Sequence, residues 1–224
     1  MRRMSALCIA VLMFALPAIA GAREVQRAAE AVQVLREVMA MPESAIPENL
    51  LNRAYAIAVI PGVVKAGLVV GGRHGRGLIA VRGSDGTWTN PSFISITGGS
   101  VGFQAGVQAT DIVLVFRTER GVDSIVSGKF TLGADAAVAA GPVGRTASAS
   151  TDAQLRAEIY SYSRSRGLFA GVALDGAALA IDHRANQRVY GRNVTPRQIF
   201  AGGVRDVPGA VVDFRDALEE YTAR

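Results

Sequence analysis

Ala56-Ile57-Ala58-Val59-Ile60-Pro61-Gly62-Val63-Val64-Lys65-Ala66-Gly67, followed through Leu68 to Gly71-Gly72-Arg73-His74-Gly75-Arg76-Gly77, is the stretch that decides the fold. Five apolar residues closed by Pro-Gly are too few for a helix and read as a buried strand, 56–60. Val63–Val70 reads as a second strand, the glycine cluster as an exposed turn, and Leu78–Arg82 as a third strand. Gly83-Ser84-Asp85-Gly86 is another turn signal. Downstream, Ser92–Thr97, Asp111–Thr118, Phe130–Ala140, Gly144–Ser150, Glu158–Arg164 and Leu168–Leu174 all look extended, and Glu119–Ser127 suits a helical turn. Strands recur about every ten residues with turns between them, which excludes a strand–helix alternation. The expected class is α+β: a strongly curved antiparallel sheet, or a barrel-like core. Glycines inside the strand patterns, such as Gly67, Gly102, Gly106 and Gly171, mark bends and bulges.

Helices belong at both ends. From Glu24 to Ala40 apolar residues fall at Val25, Ala28/Ala29, Val32, Leu35 and Val38/Met39, one stripe at helical period. A short helix starts near Pro47, with Ser44 or Ile46 near its cap, and carries Leu50 and Leu51. Thr195-Pro196 opens another, and Val211–Tyr221 is amphipathic. Residues 1–22 read as a secretory signal: Arg2 and Arg3, the apolar run Met4–Leu16, then small residues that place cleavage after Ala22, or alternatively after Ala20. Residues 23–224 form one domain, expected to be exported, in a periplasm or secreted.

Composition narrows the chemistry. The 224 residues carry 24 cationic and 19 acidic side chains, and only Lys65 and Lys129 are lysines. Removing residues 1–22 takes away two arginines and no acid, leaving 22 basic against 19 acidic residues, +3. So mild an excess, with few aromatics, argues against nucleic acid as a partner. One cysteine, inside the signal, and two histidines argue against disulfides and a zinc site. No cofactor motif survives inspection: Gly75–Ala80 mimics a dinucleotide fingerprint but leads into a strand.

The run from about Ile46 to Gly202 resembles the SYLF domain family. Its motifs stand here as Ile60-Pro61-Gly62-Val63-Val64-Lys65-Ala66-Gly67; Gly71-Gly72 and Gly75-Arg76-Gly77; Trp88, Pro91 and Phe93; and Gly99–Gly106. Leu132–Asp135, Ala140-Gly141-Pro142 and Tyr160–Gly171 complete the series. The resemblance implies a domain without catalytic chemistry. Eukaryotic members bind phosphoinositides, partly through an N-terminal amphipathic helix and partly through basic residues, and yeast members bind and bundle actin. For an exported chain it points to anionic phospholipid or a membrane surface as partner, or alternatively to an envelope protein or polymer. Residues 23–40 hold three arginines against three glutamates, unlike the basic eukaryotic helix. Their alanine- and valine-rich stripe is expected to pack on the domain rather than enter lipid.

Lys65, Arg73, His74, Arg76 and Arg82 are the candidate anion-binding residues, because no acid interrupts Lys65–Arg82 and glycine-rich turns cradle phosphate. Arg73 and Arg76 are expected on the exposed turn, free of carboxylates. A second acid-free stretch, His183–Arg205, holds Arg184, Arg188, Arg192, Arg197 and Arg205 without a common face. Gly98-Gly99-Ser100-Val101-Gly102 spells a nucleophile elbow, but glycines rather than a helix follow Ser100, so no catalytic residue is assigned.

Overall fold

The computed structural model describes residues 5–41, 46–67, 70–101, 106–144, 157–165, 168–204 and 206–222. For residues 5–20, Val70, Ser100, Val101, Gly106 and Lys129 it describes the backbone alone. The elements in order are α1 (Ser5–Met39), α2 (Glu48–Asn52), β1 (Ala56–Gly67), β2 (Val70–Val81), β3 (Ser92–Val101), β4 (Gly106–Phe116) and α3 (Glu119–Ser127). There follow β5 (Lys129–Thr131), β6 (Val138–Ala140), β7 (Ile159–Ser165), β8 (Leu168–Gly171), β9 (Ala178–Ile181), α4 (His183–Tyr190), α5 (Pro196–Phe200) and α6 (Gly209–Thr222).

The nine strands form one strongly curled sheet, a half-barrel, with helices at both ends. The strand path is β5-β9-β3-β2-β1-β4-β7-β6, and β8 pairs with the distal half of β7. Every pairing is antiparallel except β6 with β7, a departure from the all-antiparallel expectation.

The strand alternation is used on both faces. Ile57, Val59, Leu78, Ala80, Phe93, Val113, Val115, Tyr160 and Tyr162 point to the face covered by α1, α2 and α4–α6. Ala56, Ala58, Ile60, Ile79, Ile94, Ile96, Ile112, Leu114 and Phe116 point to the other face, closed by α3, β5 and β9. Burial on both faces explains why 56–60 is continuously apolar.

Pro61-Gly62 does not end that strand. β1 continues to Gly67 through a bulge, where Gly62 takes φ +57 and its N–H donates to Asp111 Oδ1 at 2.9 Å. The glycine cluster is likewise strand: Val70 to Val81 is one element. The first four strands therefore run past the helix layer as a glycine-rich extension.

Helix α1 starts at Ser5, well before the expected Glu24. Ala28, Ala31, Val32, Val34, Leu35 and Val38 are buried beneath it, so its stripe is core, as expected. Ion pairs fasten both ends of this buried stretch: Arg188 donates to Glu24, and Arg164 pairs with Glu37. Helix α4 and strand β9 were not expected, whereas α5 carries the anticipated Pro196 and a full capping box between Thr195 and Gln198. The expected extended stretch Gly144–Ser150 lies almost wholly outside the described residues.

Candidate cationic site on the strand extension

Cross-strand register decides which candidate side chains meet. Lys65 sits directly opposite Arg73, Arg73 opposite Gly98, and Lys65 opposite Gln108. These four residues form one row on the α3 face, the face of Val63 and Ile96. His74 is one residue on, opposite Val64 and Thr97, and points to the helix face, as does Arg76. The five candidates therefore do not converge. The structure joins Lys65 to Arg73 and separates them from His74 and Arg76 by the thickness of the sheet. Adjacency in sequence along a strand means opposite faces, and reading the cluster as a turn concealed this.

Arg82 is further away still and has a different role. It stacks over Trp88 with its guanidinium carbon 4.8 Å from the ring centroid. Its Nη1 and Nη2 donate to the carbonyls of Asn52 and Leu51, satisfying the end of α2. Burial holds its guanidinium below the ordinary pKa, with Glu219 opposing that shift. Arg82 is thus engaged in packing and in closing the end of α2, apart from the other four candidates.

Arg76 also departs from expectation. It lies on a strand, not an exposed turn, and its Nε is 3.8 Å from Asp182 Oδ2. Its side chain stays 48% exposed, so this ion pair is weak. Asp182 itself is committed to capping α4 through the Ala185 N–H.

Arg73 is half-buried, and burial holds its guanidinium below its ordinary pKa. Among the described residues no carboxylate pairs with Arg73 or Lys65. Two like charges directly opposite on one face of a sheet repel. A side chain at Gly98 would approach the Ala177 Cα to 2.9 Å, so the row is closed on that side by backbone. The cluster glycines do not cradle anything with free amides. A Cβ at Gly71 would lie 2.2 Å from the Ala66 carbonyl oxygen, and one at Gly77 would lie 2.2 Å from that of Val59. Gly71 and Gly77 are glycines because the neighbouring strand passes too close for a side chain, and a Cβ at Gly75 would meet Val63 Cγ2 at 2.6 Å.

The other arginines are mostly engaged. Arg188 holds Glu24, and Arg197 lies 3.8 Å from Asp123, while Arg205 lies outside the described residues. Hydrogen bonding to Glu24 raises the Arg188 pKa. A further cationic centre was missed from sequence. Arg164 donates to Asp111 Oδ2 from Nε at 3.0 Å and Nη2 at 2.7 Å, and also pairs with Glu37. It ties α1 to β4, β7 and, through Asp111, the β1 bulge. Partners 53 and 127 residues away leave no local signal. Ser100 stands within β3 opposite Gly71, not on a strand-to-helix elbow. Among the described residues no group of three or more His, Cys, Asp or Glu side chains could hold a metal ion.

A family model described as Ysc84, Las17-binding protein actin regulator, matches residues 97–221. The chain is 39% identical over 176 residues to LAS seventeen-binding protein 3 of Saccharomyces cerevisiae, covering 77% of this chain and 38% of that protein. It is 40% identical over 171 residues to Protein YSC84 of the same yeast, covering 75% of this chain and 36% of that one. It is 31% identical over 204 residues to SH3 domain-containing YSC84-like protein 1 of Homo sapiens, covering 90% of this chain and 59% of that one. This chain thus spans well under two thirds of the length of these curated relatives. With the motif series, the fold and these matches together, the chain belongs to the Ysc84 family, the SYLF-domain proteins its motifs resemble.

Proposed function

We propose that this chain is a non-catalytic binding module that docks on anionic phospholipid, with Lys65 and Arg73 meeting the headgroup phosphate. One observation carries the reading: two cations face each other across β1 and β2, one of them half-buried, with no carboxylate among the described residues to neutralise them. Such a pair weakens the free fold and becomes favourable when a phosphate enters between them, because arginine donates two parallel hydrogen bonds to phosphate. In this reading the protein works outside the cytoplasm after loss of residues 1–22, and the membrane it meets is the envelope that surrounds it.

The test is co-sedimentation with vesicles of phosphatidylcholine and phosphatidylserine at two salt concentrations. The wild type is expected to pellet at low salt and to be released as salt rises. The charge reversal Lys65→Glu with Arg73→Glu is expected to weaken binding tenfold or more, a loss of about 1.5–3 kcal/mol. Undiminished binding by a folded double variant refutes the assignment.

A second reading is favoured by the yeast relative LAS seventeen-binding protein 3, which by its name binds a protein. In it the module recognises another protein, in an exported setting an envelope protein, and the relatives' actin-regulatory role would transfer only to a eukaryotic setting. Recognition through apolar contact is insensitive to salt, so the same titration separates the two.

A further inference from the structure

The described side chains include three large hydrophobics that are exposed: Val64 at 43%, Val107 at 74% and Leu168 at 78%. All three lie at one end of the sheet. Strand β1 ends at Gly67 opposite Gly106 of β4, β2 begins at Val70 opposite Val101 of β3, and Ser165 of β7 faces Leu168 of β8. The far ends of the same strands, at Ala56, Val81 and Phe116, are buried.

The exposed apolar residues are grouped by register. Val64 stands opposite Ala109, and Ala66 opposite Val107, all four exposed on the helix side of the extension. Helix α1 does not reach them: its last clamp on the sheet is Glu37 to Arg164, in the row of Asp111. Leu168 lies across from Ser165, next in β7 to Arg164, and so points to the other face. Lys65 and Arg73 stand on that face at this same end. Residues 61–77, 92–110 and 159–174 contain no aspartate or glutamate. Two acids border these stretches, Asp111, held by Arg164 and the Gly62 N–H, and Asp175, exposed in the turn that leads to Ala177, while Asp213, Asp216 and Glu220 are exposed on α6, which packs against α1 and α2.

We infer that the molecule meets an anionic bilayer end-on, with Val64, Val107 and Leu168 seated among the lipid headgroups and Lys65 and Arg73 at the phosphate level. This rests on the lipid reading above and fixes the membrane-facing end as strands, not α1. Charge complementarity argues for a bilayer as the occupant. Strand ends that present cations and apolar side chains on both faces, with no acid in 61–77 or 92–110, suit a surface that is negative outside and apolar beneath, and the acidic α6 is kept away from them.

Depth-dependent quenching tests this on the full chain. Val107→Trp and Leu168→Trp are each mixed with phosphatidylcholine–phosphatidylserine vesicles whose acyl chains are brominated. Glu220→Trp serves as the control, and the native Trp88 is buried and common to all. The emission added at 107 and 168 is expected to fall by half or more on binding, and that added at 220 to stay unchanged. Bound protein with 107 and 168 unquenched, or with 220 quenched instead, overturns the end-on arrangement while leaving lipid binding intact. Absence of wild-type binding overturns both. Val107→Asp with Leu168→Asp is expected to lower vesicle affinity at least tenfold, and unchanged affinity overturns the inference. A wild-type dimer that Val107→Asp dissociates, seen by sedimentation equilibrium, also overturns it, because the patch would then be covered by a second copy.

Discussion

Lys65 and Arg73 occupy positions where most sheets place opposite charges or none. Lys65→Glu sets a carboxylate opposite Arg73 on the same row. Cross-strand pairs contribute roughly 0.2–1 kcal/mol, so this variant is expected to be more stable than wild type by a few tenths to 1 kcal/mol. Its vesicle binding is expected to fall at the same time. Opposite signs in a urea titration and a vesicle titration identify a residue kept for binding at the expense of folding. A fall in both would show that Lys65 is only structural. Gly141 shows a different single-residue constraint. A Cβ there would stand 2.0 Å from Tyr162 Cζ, and one at Gly171 would stand 2.1 Å from the Gly141 carbonyl oxygen. Tyr162 is fully buried, stacked on Phe169 at 5.2 Å, and donates to the Pro142 carbonyl. No small movement makes room, so Gly141→Ala is expected to cost about 3 kcal/mol or more by chemical denaturation. These glycines belong to the two motif runs Ala140-Gly141-Pro142 and Tyr160–Gly171, which the fold brings face to face.

The phenols also set an alkaline limit. Burial, followed by Glu119, pushes the Tyr55 hydroxyl up to about 12, and burial pushes Tyr162 and Tyr190 higher. A phenol whose folded pKa exceeds its unfolded value of about 10 keeps its proton longer in the folded state. Its contribution is complete below pH ~10 and is lost as pH rises through the folded value. The unfolding free energy is therefore expected to decline above pH ~10, and Tyr162→Phe to make the decline shallower. Denaturant titrations between pH 9 and 12 read this slope directly.

Among the elements, α1 depends most on distant partners. Apart from Leu35 its buried stripe is alanine and valine, which supply less apolar area per turn than leucine or phenylalanine, and ion pairs fasten it at Glu24 and Glu37. Arg164→Ala removes the partner of Glu37 and of Asp111, and Asp111 in turn holds the Gly62 N–H of the bulge. All three side chains are only partly exposed, so the expected loss is about 2–3 kcal/mol, measured by urea unfolding. Vesicle affinity per folded molecule should barely change. The helices with caps or a clear stripe, α1, α3, α5 and α6, were legible because their signals are local. The join of 56–60 to 63–67 was not, because Pro61-Gly62 stops a strand unless a neighbour, here Asp111, supplies the bulge. Helix α4 was hidden by its polarity. Only Ala185, Asn186, Val189 and Tyr190 mark its inner face, with Asp182 before it and Gly191 after it as the overlooked caps.

For the whole molecule, the α+β class and the curl could be read from strand spacing, but the site could not, because register is a long-range property. Five basic residues close in sequence became one facing pair, two residues on the other face and one packing arginine. The polarity of the molecule follows from the same register: a partly apolar sheet end whose strand positions 61–77 and 92–110 hold cations and no acid, and a helix α6 at the other end with Asp213, Asp216 and Glu220 exposed. The N-terminal segment tests how this layer is held. The described burial of α1 begins at Glu24, 2% exposed and bonded to Arg188, and runs through Val38. A chain starting at Arg23 keeps all of those contacts. It is expected to unfold at the same urea midpoint, within experimental scatter, as one starting at Met1. A chain starting at Ala40 loses Ala28, Ala31, Val32, Val34, Leu35 and Val38 from the core and leaves Arg164 and Arg188 without their α1 partners. Burying each such side chain contributes on the order of 1 kcal/mol or more, and the total reaches the 5–15 kcal/mol that holds a typical domain together. That chain is expected to lose its cooperative transition and near-ultraviolet circular dichroism. If it instead unfolds cooperatively near the full-length midpoint, α1 is a dispensable cover, and the amphipathic helix returns as a candidate for the membrane.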